Sequence, residues 1–214
     1  MRNLGRSITL WVQALLLAFQ WLTVLPLKRI PYSEAGVKRI LVFYPLVGWV
    51  IGGVLIFASA VLVFLFPPLV AGILLLAVWV GMTGALHLDG FMDAADGLLS
   101  HRSPERMLEI MRDSRVGAWG VIACCMLLLV KGSILVYLAE IISGGFDAAR
   151  LQAWLMLATI PMLSRSFIVW AVIGWPYARS HGFGTPLREA GRTEAIGSLV
   201  VTSLCLVASL ALFG

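Results

Sequence analysis

Charge is scarce in this chain of 214 residues. Only 13% of its residues are Asp, Glu, Lys or Arg, whereas an ordinary soluble domain has roughly 25%. Hydrophobic residues make up 60%, and they recur in runs near or beyond about 18 residues, which is typical of membrane-spanning helices. The composition therefore excludes an ordinary soluble domain and predicts an all-α, polytopic integral membrane protein.

Cysteine is also scarce, with three residues in the chain. Cys124 and Cys125 are adjacent in one apolar run and Cys205 lies in another, so neither a disulfide framework nor metal-ligand spacing is present. The net charge of +5 does not indicate a nucleic-acid partner, because the basic residues lie at the ends of apolar segments, where they orient helices and meet lipid headgroups. No basic stripe with interleaved aromatic residues accompanies them.

Six hydrophobic segments follow one another in what we interpret as a single domain, residues 1–214. They cover approximately residues 8–27, 40–66, 68–88, 117–139, 151–175 and 195–213. Pro67 and Pro68 predict a tight turn between the second and third segments, since neither proline can continue the preceding helix. No internal repeat is visible.

The basic residues test how many of these segments cross the membrane. They cluster at the N-terminus, after the first segment, after the third and before the last. If all six segments spanned, Arg2 and Arg6 would face away from the other clusters, which the positive-inside tendency disfavours. Of about five to six membrane helices, we therefore favour five spanning ones, with an interfacial or re-entrant N-terminal helix and all four clusters on the cytoplasmic side.

The few carboxylates are concentrated at one membrane boundary. Four of the five aspartates lie in the segment 84–117: Asp89, Asp93, Asp96 and Asp113. The spacing i, i+4, i+7 of the first three places them within about 60° on one helix face. Carboxylates that close resist ionising together unless a cation neutralises them, and carboxylate oxygens completed by water and phosphate are how Mg²⁺ is usually held. The pattern predicts a magnesium site, and Gly90 and Gly97 beside the outer ligands would leave room for a bulky substrate.

Arginines accompany these aspartates. Ser103 and Pro104 predict the N-cap and first turn of a short helix, which is followed by Asp113 between Arg112 and Arg115. Metal-binding carboxylates next to guanidinium groups that can bind phosphate are what phosphoryl transfer requires. A solvated, purely structural helix end is disfavoured, because ionisable groups at membrane depth are costly and usually functional.

Two residues within or beside apolar sequence are further candidates. His87 would point about 160° away from Asp89 on a straight helix, so it acts as a base only if the helix breaks at Gly90 and otherwise has a structural role. Arg165 lies inside an apolar segment and needs an anionic partner, which is either the aspartate cluster or substrate phosphate, unless the side chain reaches the interface. For Lys131 we expect a structural role.

A glycine-containing loop precedes the last hydrophobic segment. Backbone N–H groups of such loops bind phosphate, and closure over a nucleotide diphosphate is one interpretation of the sequence ARSHGFGTPL. The candidate substrate-binding residues in this loop are Arg179, His181, Gly182 and Gly184.

Two stretches taken together, LHLDGFMDAADGL and MRDSRVGAWGV, resemble the membrane-enzyme family of cobalamin synthase, adenosylcobinamide-GDP ribazoletransferase. Three further stretches are similar to segments of that family: FQWLTVLPL, FYPLVGWVIGG and ARSHGFGTPL. The resemblance extends over approximately residues 19–187, and members of the family are usually somewhat longer than this chain.

The resemblance implies a reaction in the inner membrane of a prokaryote, at its cytoplasmic face. Adenosylcobinamide-GDP and α-ribazole (or its 5′-phosphate) would give adenosylcobalamin (or its phosphate) and GMP. Asp89, Asp93 and Asp96 would bind one or two Mg²⁺ ions that bridge the diphosphate. Asp113 would complete a metal site or accept the proton of the attacking hydroxyl, and the neighbouring arginines would bind phosphoryl oxygens. The sequence does not decide whether the chain forms a homodimer.

Two other functions were weighed. A CDP-alcohol phosphotransferase also uses aspartates and Mg²⁺ at a membrane surface, but its motif has Ala-Arg three residues after Asp-Gly, where this chain has Asp93 and Ala94. A transporter with a carboxylate site would commonly show broken helices in two related halves, and no such repeat is found.

Overall fold

Helices dominate the computed structural model, which describes residues 2–27, 34–178, 184–187 and 190–214. The helices are α1 (Arg2–Leu22), α2 (Glu34–Leu65), α3 (Pro68–Met82), α4 (Leu86–Leu98), α5 (Pro104–Ile110), α6 (Ala118–Ser143), α7 (Ala148–Gly174) and α8 (Arg192–Phe213), with a 3-10 turn over Thr185–Leu187. These residues contain no β-strand. The prediction of an all-α membrane protein is confirmed.

Among the described residues, four helices are long and apolar enough to cross a membrane: Gly36–Leu65 within α2, together with α6, α7 and α8. Helices α3 and α4 reach that length only jointly, as a pair bent by 87°. The described apolar part of α1, Ile8–Leu22, is shorter. If the bent pair counts as one span, the described residues contain the five spans that the sequence predicts, preceded by a shorter N-terminal helix.

The third segment ends earlier than predicted, at Met82 instead of near residue 88. The N–H of Gly84 donates to the Gly81 carbonyl and that of Ala85 to the Val80 carbonyl, both at 3.1 Å, which is the Schellman pattern of helix termination. Gly84 adopts the left-handed conformation at φ +59°, which glycine tolerates without a steric penalty. Fifteen residues reach only about 22 Å, so α3 stops short of a full bilayer crossing and α4 turns across the bundle.

The chain after α1 supports this corner. The N–H of Val24 donates to the Met82 carbonyl at 2.9 Å, and a Cβ on Gly84 would lie 2.8 Å from the Val24 side chain. The stretch FQWLTVLPL therefore contributes to the fold by packing against the point where α3 gives way to α4.

Close backbone contact joins α2 to α7. A Cβ added to Gly48 would lie 2.4 Å from the Pro161 carbonyl oxygen, and one added to Gly52 would lie 2.7 Å from Ala158 Cα. Small residues spaced by four allow helix backbones to approach in membranes, where van der Waals packing replaces the hydrophobic effect as the driving force. The stretch FYPLVGWVIGG therefore forms the central helix contact.

Side-chain hydrogen bonds attach α8 to this pair. Trp49 Nε1 donates to Ser209 Oγ at 2.9 Å, and the hydroxyls of Ser166 and Thr202 lie 2.9 Å apart. Helix α3 packs on α6, and α4 packs on α6 and α5. The buried core runs through α1, α2, α3, α6 and α7, and α4 lies across one end of it.

Two adjacent glycines provide a test of the α2–α7 contact. Gly52→Ala should lower the thermal stability of the protein in detergent, because the new methyl group overpacks against Ala158 and overpacking costs about 1–3 kcal/mol. Gly53→Ala is the control, since nothing lies within 4 Å of its Cβ position and alanine favours helix. Equal melting temperatures for the two variants would contradict the close contact.

Candidate functional site

The three clustered aspartates lie on α4, as their spacing predicts. The helix runs unbroken from Leu86 to Leu98, so the three side chains share one face. Asp89 is exposed, whereas Asp93 and Asp96 are half-buried. Solvent exposure along the aspartate face is therefore greatest at Asp89.

Asp96 is bound by the start of α6. Its Oδ2 accepts a hydrogen bond from Gly117 N–H at 2.8 Å, and its Oδ1 accepts one from Gly120 N–H at 2.7 Å. Gly117 is the N-cap residue of α6 and has no side chain to satisfy these amides. A carboxylate at a helix N-terminus is favoured by both the free N–H groups and the helix dipole. Asp96 therefore caps α6 from another helix.

The glycines of the sequence RVGAWG explain how this contact is made. A Cβ on Gly117 or Gly120 would lie 2.4 Å from a carboxylate oxygen of Asp96, a distance that side-chain atoms cannot adopt. The capping of α6 by Asp96 was not predicted from the sequence. The signal that could have revealed it is the spacing of the two glycines at the start of an apolar helix, combined with an unexplained carboxylate one helix earlier.

The two Asp-Gly pairs differ from the prediction that both leave space for substrate. A Cβ on Gly97 would lie 2.6 Å from Met111 Cε, so protein fills that position and the expectation for Gly97 is wrong. Gly90, next to Asp89, has nothing within 4 Å of its Cβ position. Of these two glycines, Gly90 is the one whose Cβ position is open in the described part of the chain.

The structure does not preassemble the expected ligand set. Among the described residues, no three His, Cys, Asp or Glu side chains come close enough together to hold a metal ion. The hydrogen bonds of Asp96 account for this, because both of its oxygens are directed at α6. Asp89 and Asp93, one helical turn apart, remain the predicted hard-oxygen ligands. They fit a cation that takes one or two carboxylates and completes its shell with water and phosphate.

The segment after α4 has the predicted form. Ser103 caps α5 by accepting the Arg106 N–H, and Pro104 occupies its first turn. Arg106 pairs with Glu109 on the same short helix. Arg112 follows α5 and is exposed.

Asp113 and Arg115 form an ion pair in the turn before α6. Arg115 Nε donates to Asp113 Oδ1 at 3.0 Å and Nη2 donates to Oδ2 at 2.6 Å. These hydrogen bonds lower the pKa of Asp113 to about 2 and raise the pKa of Arg115. A carboxylate that weakly basic is a poor proton acceptor at neutral pH. Of the two predicted roles for Asp113, completing a metal site and accepting the proton of the attacking hydroxyl, this geometry disfavours proton transfer.

Arg165 is buried in α7, with 3% of its surface exposed. Its Nη1 donates a long hydrogen bond of 3.4 Å to the Pro161 carbonyl, and its Nε is buried without a partner in the described part of the chain. The positive charge of Arg165 acts electrostatically on His87 and on Lys131. The predicted ion pair between Arg165 and the aspartates does not form among the described residues.

His87 does not meet the condition set for a base role. Because α4 passes through Gly90 without a break, the side chain lies on the side of the helix opposite Asp89.

One residue of the predicted glycine-containing loop can be placed. Gly184 lines a cavity of about 720 Å³ at the end of α7, together with Phe167, Trp175 and Tyr177. A Cβ on Gly184 would lie 3.0 Å from the Tyr177 ring, so the absence of a side chain permits this contact. Three other candidates lie outside the described residues: Arg179, His181 and Gly182.

Fold and site together define a polytopic helical membrane protein with an aspartate-bearing helix across one end of its bundle. The chain belongs to the Cobalamin-5-phosphate synthase family, whose model matches residues 14–214. This confirms the family predicted from the aspartate and glycine motifs. No solved structure matches the chain.

Curated relatives carry the name adenosylcobinamide-GDP ribazoletransferase, which is the name of an enzyme. The chain is 46% identical to that of Desulfitobacterium hafniense over 70% of its own length and 56% of the relative's. It is 36% identical to the Brevibacillus brevis protein over 92% and 76% of the two chains, and 37% identical to the Desulforamulus reducens protein over 90% and 74%. The matched region thus spans about half to three quarters of these relatives.

Asp96 and Asp89 should respond differently to the same substitution. Asp96→Asn should destabilise the protein by about 1–3 kcal/mol, because the amide accepts only one of the two N–H groups and removes the charge at the helix N-terminus. Asp89→Asn is the matched control, and its exposed side chain should leave stability unchanged. Thermal unfolding in detergent measures both. A wild-type melting temperature for Asp96→Asn would contradict the capping role.

Proposed function

We propose that the chain transfers the adenosylcobinamide-phosphate group of adenosylcobinamide-GDP to α-ribazole or its 5′-phosphate, with Mg²⁺ as cofactor. The ribose hydroxyl attacks the cobinamide-side phosphorus, a new P–O ester bond forms and the P–O bond to GMP breaks. GMP leaves with the bridging oxygen, and the hydroxyl proton passes to a base or to solvent. The names of the curated relatives support this reaction.

The observation that carries the proposal is the accessible end of α4. Asp89 is exposed beside Gly90, whose missing side chain leaves open space. We propose that Asp89 and Asp93 hold Mg²⁺ against the substrate diphosphate. When bound there, the ion neutralises charge on the diphosphate and on the leaving GMP. Asp96 takes a different part: by binding α6 it fixes the position of the helix that bears the other two carboxylates.

The arginine-rich turn supplies the remaining charges. Arg112 is exposed in the same segment, and a guanidinium group binds phosphoryl oxygens through paired hydrogen bonds. Asp113 holds Arg115 in a defined position through three side-chain hydrogen bonds. We propose that Arg112 and Arg115 stabilise the phosphoryl oxygens and that Asp113 orients Arg115.

We further propose that this site faces the cytoplasm. Along the alternating helices, α2 begins, α4 and α5 lie, and α6 and α8 begin at one end of the bundle. Seven described basic residues at that end are Lys38, Arg39, Arg102, Arg106, Arg112, Arg115 and Arg192. The opposite end carries Arg150 at the start of α7. This asymmetry supports a cytoplasmic orientation under the positive-inside tendency.

GMP release by the purified protein in liposomes tests the reaction directly. Release should require adenosylcobinamide-GDP, α-ribazole and Mg²⁺ together. Asp93→Asn should abolish turnover while the protein remains folded in detergent, because it removes a charged metal ligand without changing side-chain size. Full activity of this variant would exclude Asp93 from the metal site, whereas release without α-ribazole would point to a hydrolase.

The pH dependence separates the two roles considered for Asp113. With a pKa of about 2, its carboxylate keeps its charge and its partner at all higher pH values and loses them only as the pH falls through that value. Asp113→Asn should therefore lower kcat without moving any inflection of the pH–rate profile between about pH 5 and 9. Loss of an inflection in that range would identify Asp113 as the base.

A further inference from the structure

Lys131 is a charged residue in the middle of an apolar span. It is the fourteenth of the 26 residues of α6, about 20 Å from the first one, and no other Asp, Glu, Lys or Arg occurs between Ala118 and Ala139. A charged side chain at this depth is costly, and in membrane helices it usually faces the bundle interior and has a function. The proposed reaction does not use Lys131, so its charge requires a separate explanation.

The partner that the structure gives Lys131 is the ring of Trp79. Its Nζ lies 3.5 Å from the ring centroid, and Trp79 is 8% exposed. Lys131 forms no ion pair with a described carboxylate. A cation over the face of a tryptophan is attracted by the ring quadrupole, most strongly where both groups are shielded from water. The contact therefore joins α6 to α3.

The Trp79 contact lies at the end of α3 that leads into α4. Trp79 is three residues from the last residue of α3, Met82. Nearer the start of α3, Gly72 also packs against α6, since a Cβ on Gly72 would lie 2.5 Å from Val136 Cα. Helix α3 therefore contacts α6 at two levels, and Lys131 makes the contact that is closer to α4.

Helix α6 also binds the other end of α4. The Asp96 carboxylate accepts two N–H groups at the start of α6. The chain from Trp79 to Asp96, which includes the 87° bend, is thus attached to α6 at both of its ends. Asp89 and Asp93 lie between the two attachments.

Packing alone does not fix the Trp79 ring. Lys131 and Trp79 line a cavity of about 120 Å³ between α3, α6 and α7, so side chains do not enclose the pair on that side. Apolar attraction is non-directional, whereas a cation–π contact requires the ammonium group to lie over the face of the ring. The charge of Lys131 therefore provides a directional contact where packing leaves space.

We propose that Lys131 is a positioning residue, which fixes the end of α3 on α6 and thereby orients the helix that carries Asp89 and Asp93. The consequence for metal binding and turnover rests on the proposed function, whereas the orientation of α4 does not depend on it.

Pulsed EPR measures the orientation of α4 in the full chain, in nanodiscs without Mg²⁺. Nitroxides are attached at Phe91→Cys on α4 and Leu129→Cys on α6, two exposed positions, after the native cysteines are replaced by alanine. We expect one narrow distance, which Lys131→Met should lose in favour of a broad distribution, because methionine has no charge to hold over the ring. Lys131→Arg should retain the narrow distance, since arginine also forms cation–π contacts and the adjacent cavity has room for the larger group.

Thermal unfolding in detergent separates positioning from a purely structural role. Lys131→Met should unfold at the wild-type temperature or above it, because apolar groups of similar volume often replace buried charges without loss of stability. Its kcat for GMP release should nevertheless fall by as much as about a hundredfold, the cost of a misplacement of about 1 Å, and Lys131→Arg should restore it. Ser133→Ala is the matched control on α6, since its exposed hydroxyl donates to the Leu129 carbonyl of the same helix, and it should change neither the distance nor kcat.

The outcomes distinguish a failure of this inference from a failure of the proposed reaction. A narrow distance in folded Lys131→Met overturns the positioning role, and so does a distance that is lost together with the melting temperature. A broad distance in Lys131→Met that Lys131→Arg restores supports the role. If the wild-type protein then releases no GMP, only the proposed reaction fails.

Discussion

Two backbone N–H groups at the start of α6 hold the carboxylate of Asp96, and the position of the aspartate helix depends on this contact. Helix α3 ends at a glycine cap, and the left-handed residues of this corner redirect the chain into α4. The two hydrogen bonds join the far end of α4 to a long, apolar helix. The carboxylate is stabilised by the helix dipole and accepts two N–H groups that would otherwise lack a partner within the helix. The combined effect orients a short helix.

The distribution of charge along and around α4 follows from that orientation. One face carries the exposed Asp89, beside open space at Gly90. The opposite face begins with His87. Because Asp96 is bound to the start of α6, the exposed carboxylate of the three is Asp89.

The scaffold around this helix is built from residues that carry no charge. Glycines let α2 and α7 meet backbone to backbone, and serine, threonine and tryptophan side chains attach α8. The hydrophobic effect does not drive helices together within a membrane, so close packing and hydrogen bonds hold them in contact. Rigid packing of the long helices leaves the irregular chain, with its exposed carboxylates and guanidinium groups, at one end.

Apolar run length, aspartate spacing and the Ser103-Pro104 pair were sufficient to predict an all-α membrane protein, a shared carboxylate face and a short capped helix. These features depend on local periodicity, which the sequence by itself determines. Only the tertiary structure decided that Asp96 binds the start of α6 and that α2 and α7 meet at their backbones. Each depends on which helix lies next to which, and that is set by backbone approach at glycines and by hydrogen bonds between residues distant in the chain, which hydropathy and aspartate spacing do not report.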